Sequence, residues 1–156
     1  MGLLTRALDT VLHTPVLARA PIPMFKAGLG PLFAGRFLLL EHIGRRSGEP
    51  RFVVLEVIDR PEKGTFRVVS GFGRSSQWFR NIEADPNVRI TVGAKRKQSA
   101  TAHILPSTDS TEVLLRYAEQ HPGAWDTLSS ILEQHLAPGT EGYSSIPVVD
   151  FRVNAS

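Results

Sequence analysis

Residues 36–59 read RFLLLEHIGRRSGEPRFVVLEVID, and this stretch decides the fold. Two apolar runs, Arg36–Ile43 and Arg51–Asp59, flank a turn that contains two glycines and a proline. Short apolar runs on either side of such a turn are typical of a β-hairpin. Both runs are apolar at consecutive positions, which indicates strands buried on both faces. The sequence therefore predicts a hairpin within a small curved sheet that helices cover from outside.

The rest of the chain continues this pattern of short strands separated by turns and helices. Four further strands are predicted at Thr65–Gly71, Val88–Val92, Lys97–Leu105 and Ile146–Val153. Three helices are predicted: one capped by Ser75 that ends before Asp85, one over Asp109–Gln120, and one over Gly123–His135. Asp109 with Glu112 resembles a capping box. About six short strands without regular strand–helix alternation predict a mainly β protein with helices, in which an antiparallel sheet forms a small barrel.

The first 35 residues differ from this pattern. Leu4, Leu8, Val11 and Leu12 follow helical spacing, which predicts a helix near Leu3–Val11. No signal-peptide or myristoylation pattern is present. We therefore expect residues 1–35 to form a helical capping segment and residues 36–156 to form a single domain. A role in gating substrate or touching a membrane surface stays open beside the structural one.

Composition excludes several classes of protein. The apolar fraction is 42%, but no run approaches the roughly 18 apolar residues of a membrane-spanning helix. The chain has no cysteine, which excludes disulfides, thiol nucleophiles and Cys-ligated metals and fits a cytoplasmic location. Residues 1–108 hold 16 basic and 8 acidic side chains, although the net charge is only +3. This uneven distribution favours a local anion site.

The turn Gly44–Arg51, hereafter the arginine turn, is the strongest candidate for that site. Arg45, Arg46 and Arg51 place three guanidinium groups on one hairpin, and Ser47 adds a hydroxyl donor. Guanidinium groups form bidentate, charge-assisted hydrogen bonds with phosphates and carboxylates. The residues alone leave two interpretations open, an anion site and an ordinary solvated hairpin.

Other constellations predict little chemistry. The five histidines show no metal-ligand spacing and no partner for a catalytic triad, so no catalytic residue and no metal site are predicted. For His42 and His103, which lie in predicted strands, a structural role is favoured. The basic run Lys95–Lys97 is interpreted as a solvated turn, so nucleic acid is not a predicted partner.

Several motifs in register resemble one family. They are the strand, arginine turn and strand of residues 36–59, then Ser70-Gly71-Phe72-Gly73, then Gln77-Trp78-Phe79-Arg80-Asn81-Ile82 followed by Ala84-Asp85-Pro86-Asn87-Val88. Together they resemble the deazaflavin-dependent nitroreductase and quinone reductase family, whose members use coenzyme F-420. The similarity covers Arg36 to Leu105, with a weaker echo at His121-Pro122 and Ile146–Val149.

The resemblance implies a split β-barrel, like that of FMN-binding oxidases, with the coenzyme in a groove. It assigns the phosphate- and carboxylate-rich tail to Arg45, Arg46, Ser47 and Arg51. It places Val53, Val54, Leu55, Glu56, Val69, Ser70, Gly71 and Phe72 along the deazaflavin ring. It places Gln77, Trp78, Phe79 and Asn81 in a helix that closes over the ring or ribityl chain.

The resemblance further implies an oxidoreductase that transfers a hydride from the reduced coenzyme to a quinone, enone or nitro acceptor. The compressed loop Phe72–Ser75, the unmatched segment Ala124–Asp126 and the extra sequence Ser129–Tyr143 depart from the family and leave the acceptor open. The alternatives are an FMN-dependent enzyme and a non-catalytic carrier of a cofactor or lipid with the same fold. Exposed barrel edges favour a homodimer.

Overall fold

A computed structural model describes residues 21–29, 35–70, 73–123, 125–126, 129 and 146–155. The strands are β1 (Phe37–Ile43), β2 (Pro50–Glu56), β3 (Thr65–Val69), β4 (Asn87–Val92), β5 (Lys95–Ile104) and β6 (Val148–Val153). The helices are α1 (Pro21–Lys26), α2 (Gln77–Ala84) and α3 (Ser107–Gln120), and a 3-10 turn spans Gly73–Ser75. The predicted helix at Leu3–Val11 lies outside the described residues, as does most of the one predicted at Gly123–His135.

The six strands form one antiparallel sheet in the order β2-β1-β4-β5-β6-β3. The chain that leaves β2 at one edge pairs with β3 at the other. There, the N–H of Ile58 donates to the carbonyl of Arg67, and the N–H of Arg67 donates to that of Asp59, each at 2.9 Å. These bonds join the two edges, so the sheet curls into a half-barrel. The predicted mainly β architecture of six antiparallel strands, a split β-barrel with helices, is confirmed.

Both faces of β1 are buried, as its apolar sequence predicted. Leu38 and Leu40 point into the main core inside the sheet, which the α2 residues Trp78, Phe79 and Ile82 also enter. Phe37 and Leu39 point to the opposite face and form a second core. This second core comprises Phe25, Phe37, Leu39 and Val54. A third core, of Leu114, Ile146 and Val148, includes a residue of α3.

Several predicted boundaries were wrong. The second strand ends at Glu56 instead of Asp59, and the third ends at Val69. The first residue before α2 is Ser76, not Ser75, and its side chain makes no capping hydrogen bond. Helix α3 begins at Ser107 after Pro106, so the predicted capping residue Asp109 lies inside its first turn. No described helix is long and apolar enough to span a bilayer.

The hairpin between β4 and β5 is tighter than predicted. The turn was expected to extend from Gly93 to Arg96, but β5 already begins at Lys95. Gly93 adopts a φ of +57°, which a glycine accommodates without steric cost. The register shifts between Ile90 and Val92, and Lys97 has a φ of +47°. An irregularity of this kind cannot be seen in the alternation of the sequence.

Candidate functional site

The arginine turn is fixed by hydrogen bonds within the turn. The N–H of Gly44 donates to the carbonyl of Glu49, and the N–H of Gly48 donates to that of Gly44, both at 2.8 Å. The hydroxyl of Ser47 accepts from the N–H of Glu49 at 3.2 Å. A Cβ at Gly44 would lie 2.6 Å from Ser47 Oγ and 3.4 Å from the Glu49 carbonyl oxygen. A side chain at position 44 would therefore displace the Ser47 hydroxyl from its place in the turn.

Three cations gather at this turn. Arg46 and Arg51 are exposed, whereas Arg45 is partly buried. Among the described residues, no carboxylate lies within salt-bridge distance of these three guanidinium groups. The single carboxylate of the turn, Glu49, is exposed. The turn therefore carries an excess of positive charge that a bound anion would neutralise.

Asn81 of α2 connects the arginine turn to the body of the protein. Its Oδ1 accepts the backbone N–H of Arg45 at 3.1 Å and the Arg45 Nη1 at 2.9 Å. Its Nδ2 lies 3.0 Å from Nδ1 of His42 on β1. Asn81 is only 4% exposed, and so is His42. The amide thus joins β1, the turn and α2 in one buried hydrogen-bond network.

His42 is neutral in this network. Burial, and then the positive charge of Arg51 on the neighbouring strand, lower the pKa of His42 from 6.5 to about 4. Sequence reasoning assigned His42 a structural role, and it does lie in a strand. Its contact with Asn81, which is 39 residues away, gives no signal in the sequence.

The turn, β2 and α2 enclose an open groove with a volume of about 1020 Å³. This volume is at the upper end of the range typical of small-molecule sites, about 300 to 1,000 Å³. One part of its lining is cationic, and another is apolar. The residues that line the groove are Ile22, Lys26, His42, Gly44, Arg45, Arg46, Ser47, Pro50, Arg51, Phe52, Val53, Ser75, Ser76, Gln77, Trp78 and Asn81.

Half of the sequence-predicted site residues line this groove. They are Arg45, Arg46, Ser47, Arg51, Val53, Gln77, Trp78 and Asn81. These residues come from two motifs more than twenty positions apart. The structure brings the arginine turn and α2 together at one groove.

Four predicted residues lie in or beside the cores and not along the groove, and two fall outside the described residues. Val54 belongs to the second core, while Leu55 and Phe79 belong to the main core, and Phe79 is completely buried. Val69 packs beside the third core. These four side chains support the walls and do not line the groove. Gly71 and Phe72 lie outside the described residues.

Glu56 and Ser70 occupy polar positions apart from the groove. Glu56 Oε1 lies 3.8 Å from Arg36 Nη2, and burial raises the pKa of this carboxyl group against the opposing effect of Arg36. Ser70 is 1% exposed, and its Oγ lies 3.4 Å from Ser76 Oγ, which belongs to a lining residue. Among the described contacts, that with Ser76 connects Ser70 to the groove.

Sequence reasoning missed one wall of the groove. Ile22 and Lys26 of α1 and Phe52 of β2 line it together, and Lys26 Nζ lies 3.8 Å from the centroid of the Phe52 ring. Phe52 directly follows the arginine turn in the chain, so its place near the turn could have been predicted. Nothing in the sequence predicted that α1 packs against β2.

The described residues contain no group of three or more His, Asp or Glu side chains able to hold a metal ion. The groove offers guanidinium groups, hydroxyls, two side-chain amides and the aromatic side chains of Phe52 and Trp78. This donor set fits a large ligand with an anionic part and a planar part. It can bind, orient and shield such a ligand.

Comparisons with known proteins agree with this chemistry. A family model described as F-420H(2)-dependent quinone reductase matches residues 22–134, which include the whole arginine turn and α2. No curated protein sequence matches the chain at a significant level.

Several solved structures share the fold. A structure of an F-420-H2 dependent reductase is 22% identical, with 75% of this chain and 94% of that chain covered and a TM-score of 0.52. A structure described as a domain-swapped dimer is 19% identical, with coverages of 89% and 100% and a TM-score of 0.54. The heme storage protein HutZ of Vibrio cholerae is 13% identical, with coverages of 86% and 90% and a TM-score of 0.52. At these identities the likeness shows the fold alone.

Proposed function

The chain belongs to the F-420H(2)-dependent quinone reductase family, and from this premise we propose that the groove beside the arginine turn is its coenzyme site. The protein is a coenzyme F-420-dependent oxidoreductase. The observation that carries the proposal is the convergence of three guanidinium groups, with no carboxylate partner among the described residues, along a groove of about 1020 Å³. The FMN-dependent and non-catalytic alternatives are not favoured.

The residues of the groove fit the parts of this coenzyme by their chemistry. Arg45, Arg46 and Arg51 would bind the phosphate and carboxylate groups of the tail through charge-assisted hydrogen bonds. Trp78, which is 8% exposed but still lines the groove, would offer its indole to the planar ring. Val53 would pack on the ring from β2. Their shared task is to hold the ring in one orientation.

When bound, reduced coenzyme F-420 supplies the hydride that reduces the acceptor. The chain's own contribution is positioning, because a hydride acceptor must lie about 3 to 3.5 Å from the donating carbon. The buried Trp78 and the half-buried Phe52 would shield this contact from water. The hydroxyl of Ser76, which is backed by Ser70, is placed to hold a proton at the edge of the groove.

The family description favours a quinone as the acceptor. The apolar side chains Ile22 and Phe52 would contact such a ring from the wall that α1 and β2 share. Contact of residues 1–35 with a membrane surface, assembly into a homodimer and a cytoplasmic location stay predictions from the sequence. The domain-swapped dimer of similar fold supports the second of these.

Titration of the purified protein with oxidised coenzyme F-420, followed by fluorescence, tests the proposal. Arg46→Ala and Arg51→Ala should each weaken binding by about 1.5 to 3 kcal/mol, the scale of a hydrogen bond to a charged group. The loss should shrink at high salt because charge attraction is screened. Arg152→Ala, an exposed arginine on β6, is the matched control and should bind like the parent. If the combined Arg46→Ala and Arg51→Ala variant binds as tightly as the parent, the assignment is wrong.

A further inference from the structure

The orientation of the Asn81 amide follows from its hydrogen bonds. Two donors of Arg45, the backbone N–H and Nη1, both converge on one amide atom of Asn81. Only the amide oxygen can accept them, so that atom is Oδ1 and the other is Nδ2. The Nδ2 group can only donate, and its neighbour at 3.0 Å is Nδ1 of His42. His42 Nδ1 must therefore be unprotonated, and the hydrogen of the neutral ring lies on Nε2.

We propose that neutral His42 is a positioning residue, which orients the Asn81 amide so that Asn81 in turn holds Arg45 in the arginine turn. The proposal rests on the proposed function only in making this turn the place where the coenzyme tail binds. His42 acts through Asn81 and Arg45. In this network Arg45 donates to Oδ1 of Asn81, and Nδ2 of Asn81 donates to Nδ1 of His42. His42 is needed because its Nδ1 accepts a hydrogen bond, and a carbonyl oxygen at the same position could accept the same bond.

Protonation of His42 would reverse this network. A proton on Nδ1 turns the acceptor into a donor, and the favourable response of Asn81 is to rotate its amide and present Oδ1 to the ring. The Nδ2 group would then face the N–H and Nη1 of Arg45, which are also donors. The amide thus has two discrete arrangements, and only one of them holds Arg45.

The charges around His42 favour the neutral form. Arg51 lies opposite His42 on β2, and its positive charge opposes protonation. The arginine turn contributes Arg45, which reaches His42 through Asn81. Helix α2 presents the uncharged Asn81, while its charged residues Arg80 and Glu83 are exposed. The described groups facing His42 are therefore cationic or neutral, and a protonated ring would add another positive charge beside them.

Two substitutions separate positioning from simple packing. His42→Leu removes the acceptor while keeping an apolar side chain, and leaves Nδ2 of Asn81 unsatisfied. It should weaken coenzyme binding about 5- to 100-fold, the range expected for a buried donor without a partner. His42→Asn can place Oδ1 where Nδ1 stood and should restore affinity to within about threefold of the parent. His103→Leu, another strand histidine that does not line the groove, is the matched control.

A second measurement needs no coenzyme. Hydrogen exchange of the Arg45 backbone N–H reports directly on its bond to Asn81 Oδ1. We expect faster exchange in His42→Leu than in the parent, and parent-like exchange in His42→Asn and in the His103→Leu control. In the parent, the Arg45 amide chemical shift should titrate with the His42 ring, and in His42→Asn it should not.

The outcomes are distinguishable from failure of the proposed function. If the parent does not bind coenzyme F-420 but the Arg45 amide responds to His42 as described, the proposed function fails and the positioning role stands. The positioning role is overturned if the Arg45 amide does not titrate with His42 in the parent. Should His42→Leu fail to fold, the titration comparison between the parent and His42→Asn decides alone.

Discussion

The ammonium group of Lys26 lies over the ring of Phe52, with Nζ 3.8 Å from the ring centroid. The carbonyl of Lys26 also accepts from Arg96 Nη2 at 2.6 Å, so the end of α1 is attached at two places. Lys26 and Phe52 both line the groove. One wall of the proposed coenzyme site therefore comes from the N-terminal segment, and its lining there is an aromatic ring beneath a cation.

Removal of this aromatic wall should affect the acceptor more than the coenzyme. Phe52→Ala deletes apolar surface that a quinone ring would cover, so the KM for a quinone should rise about five- to tenfold. The coenzyme Kd should change less than about threefold, because the charged tail contacts lie at the arginine turn. Steady-state kinetics and fluorescence titration measure the two quantities. Leu115→Ala, which alters an exposed leucine of α3, is the control. Equal losses in KM and Kd would show that Phe52 does not face the acceptor.

The backbone of the arginine turn offers a test that leaves every charge in place. Gly44→Ala would bring a Cβ to 2.6 Å from Ser47 Oγ and 3.4 Å from the Glu49 carbonyl oxygen. The hydroxyl must rotate away and the turn must shift, so coenzyme binding should weaken about three- to thirtyfold, for loss of about one hydrogen bond or more. Gly123→Ala, where a Cβ meets nothing within 4 Å, should bind like the parent. Unchanged affinity in Gly44→Ala would mean that the turn geometry is irrelevant to the ligand.

The sequence predicted the architecture and part of the site for physical reasons that can be named. A curled sheet needs strands buried on both faces, and the consecutive apolar residues of β1 show this directly. The cationic character of the arginine turn is visible because Arg45, Arg46 and Arg51 are close together in the chain. Strand ends were less predictable. The predicted second strand ran to Asp59, but β2 ends at Glu56, and the N–H of Ile58 beyond it donates to Arg67 of β3 instead of continuing the pairing with β1.

The contacts that connect distant segments could not be predicted from the sequence. Arg45 and Asn81 are 36 residues apart, and nothing in either motif indicates that they meet. Similarly, the motif around Trp78 and Phe79 does not reveal which ring also reaches the groove. Both rings enter the main core, Phe79 is completely buried, and Trp78 lines the groove as well. The packing of α2 against β1 determines which ring lines the groove. The spacing of residues within a helix of only eight residues does not determine it.

A buried ion pair outside the groove should matter for stability. Arg67 Nε and Nη2 donate to the two carboxylate oxygens of Asp150 at 2.7 and 3.0 Å, and the Asp150 side chain is only 3% exposed. Asp150→Asn removes the bidentate partner of Arg67 and leaves its guanidinium with the longer contact to Asp59, at 3.7 Å, which should cost about 3 kcal/mol of unfolding free energy. Glu112→Gln breaks the exposed pair with Arg116 and should cost less than about 0.5 kcal/mol. Urea denaturation measures both, and similar midpoints for the two variants would contradict the prediction.

The lowered pKa of His42 predicts a loss of stability in acid. Because its pKa is about 4 in the folded chain and 6.5 when exposed, the unfolded chain binds more protons between these values. The free energy of unfolding should therefore be constant above pH 6.5 on account of this group and fall as pH drops from 6.5 towards 4. The total is about 2 to 3 kcal/mol, since one pKa unit corresponds to about 1.4 kcal/mol. Burial raises the pKa of Glu56, so this group has the opposite effect: its contribution to the free energy of unfolding is lost as pH rises through its pKa. The difference between the parent and His42→Asn isolates the histidine, as Glu56 is common to both. Urea denaturation from pH 4 to 8 should show the two curves parallel above pH 6.5, with only the parent carrying the additional decline below it. Curves that remain parallel over the whole range would mean that His42 titrates alike in the folded and unfolded chains.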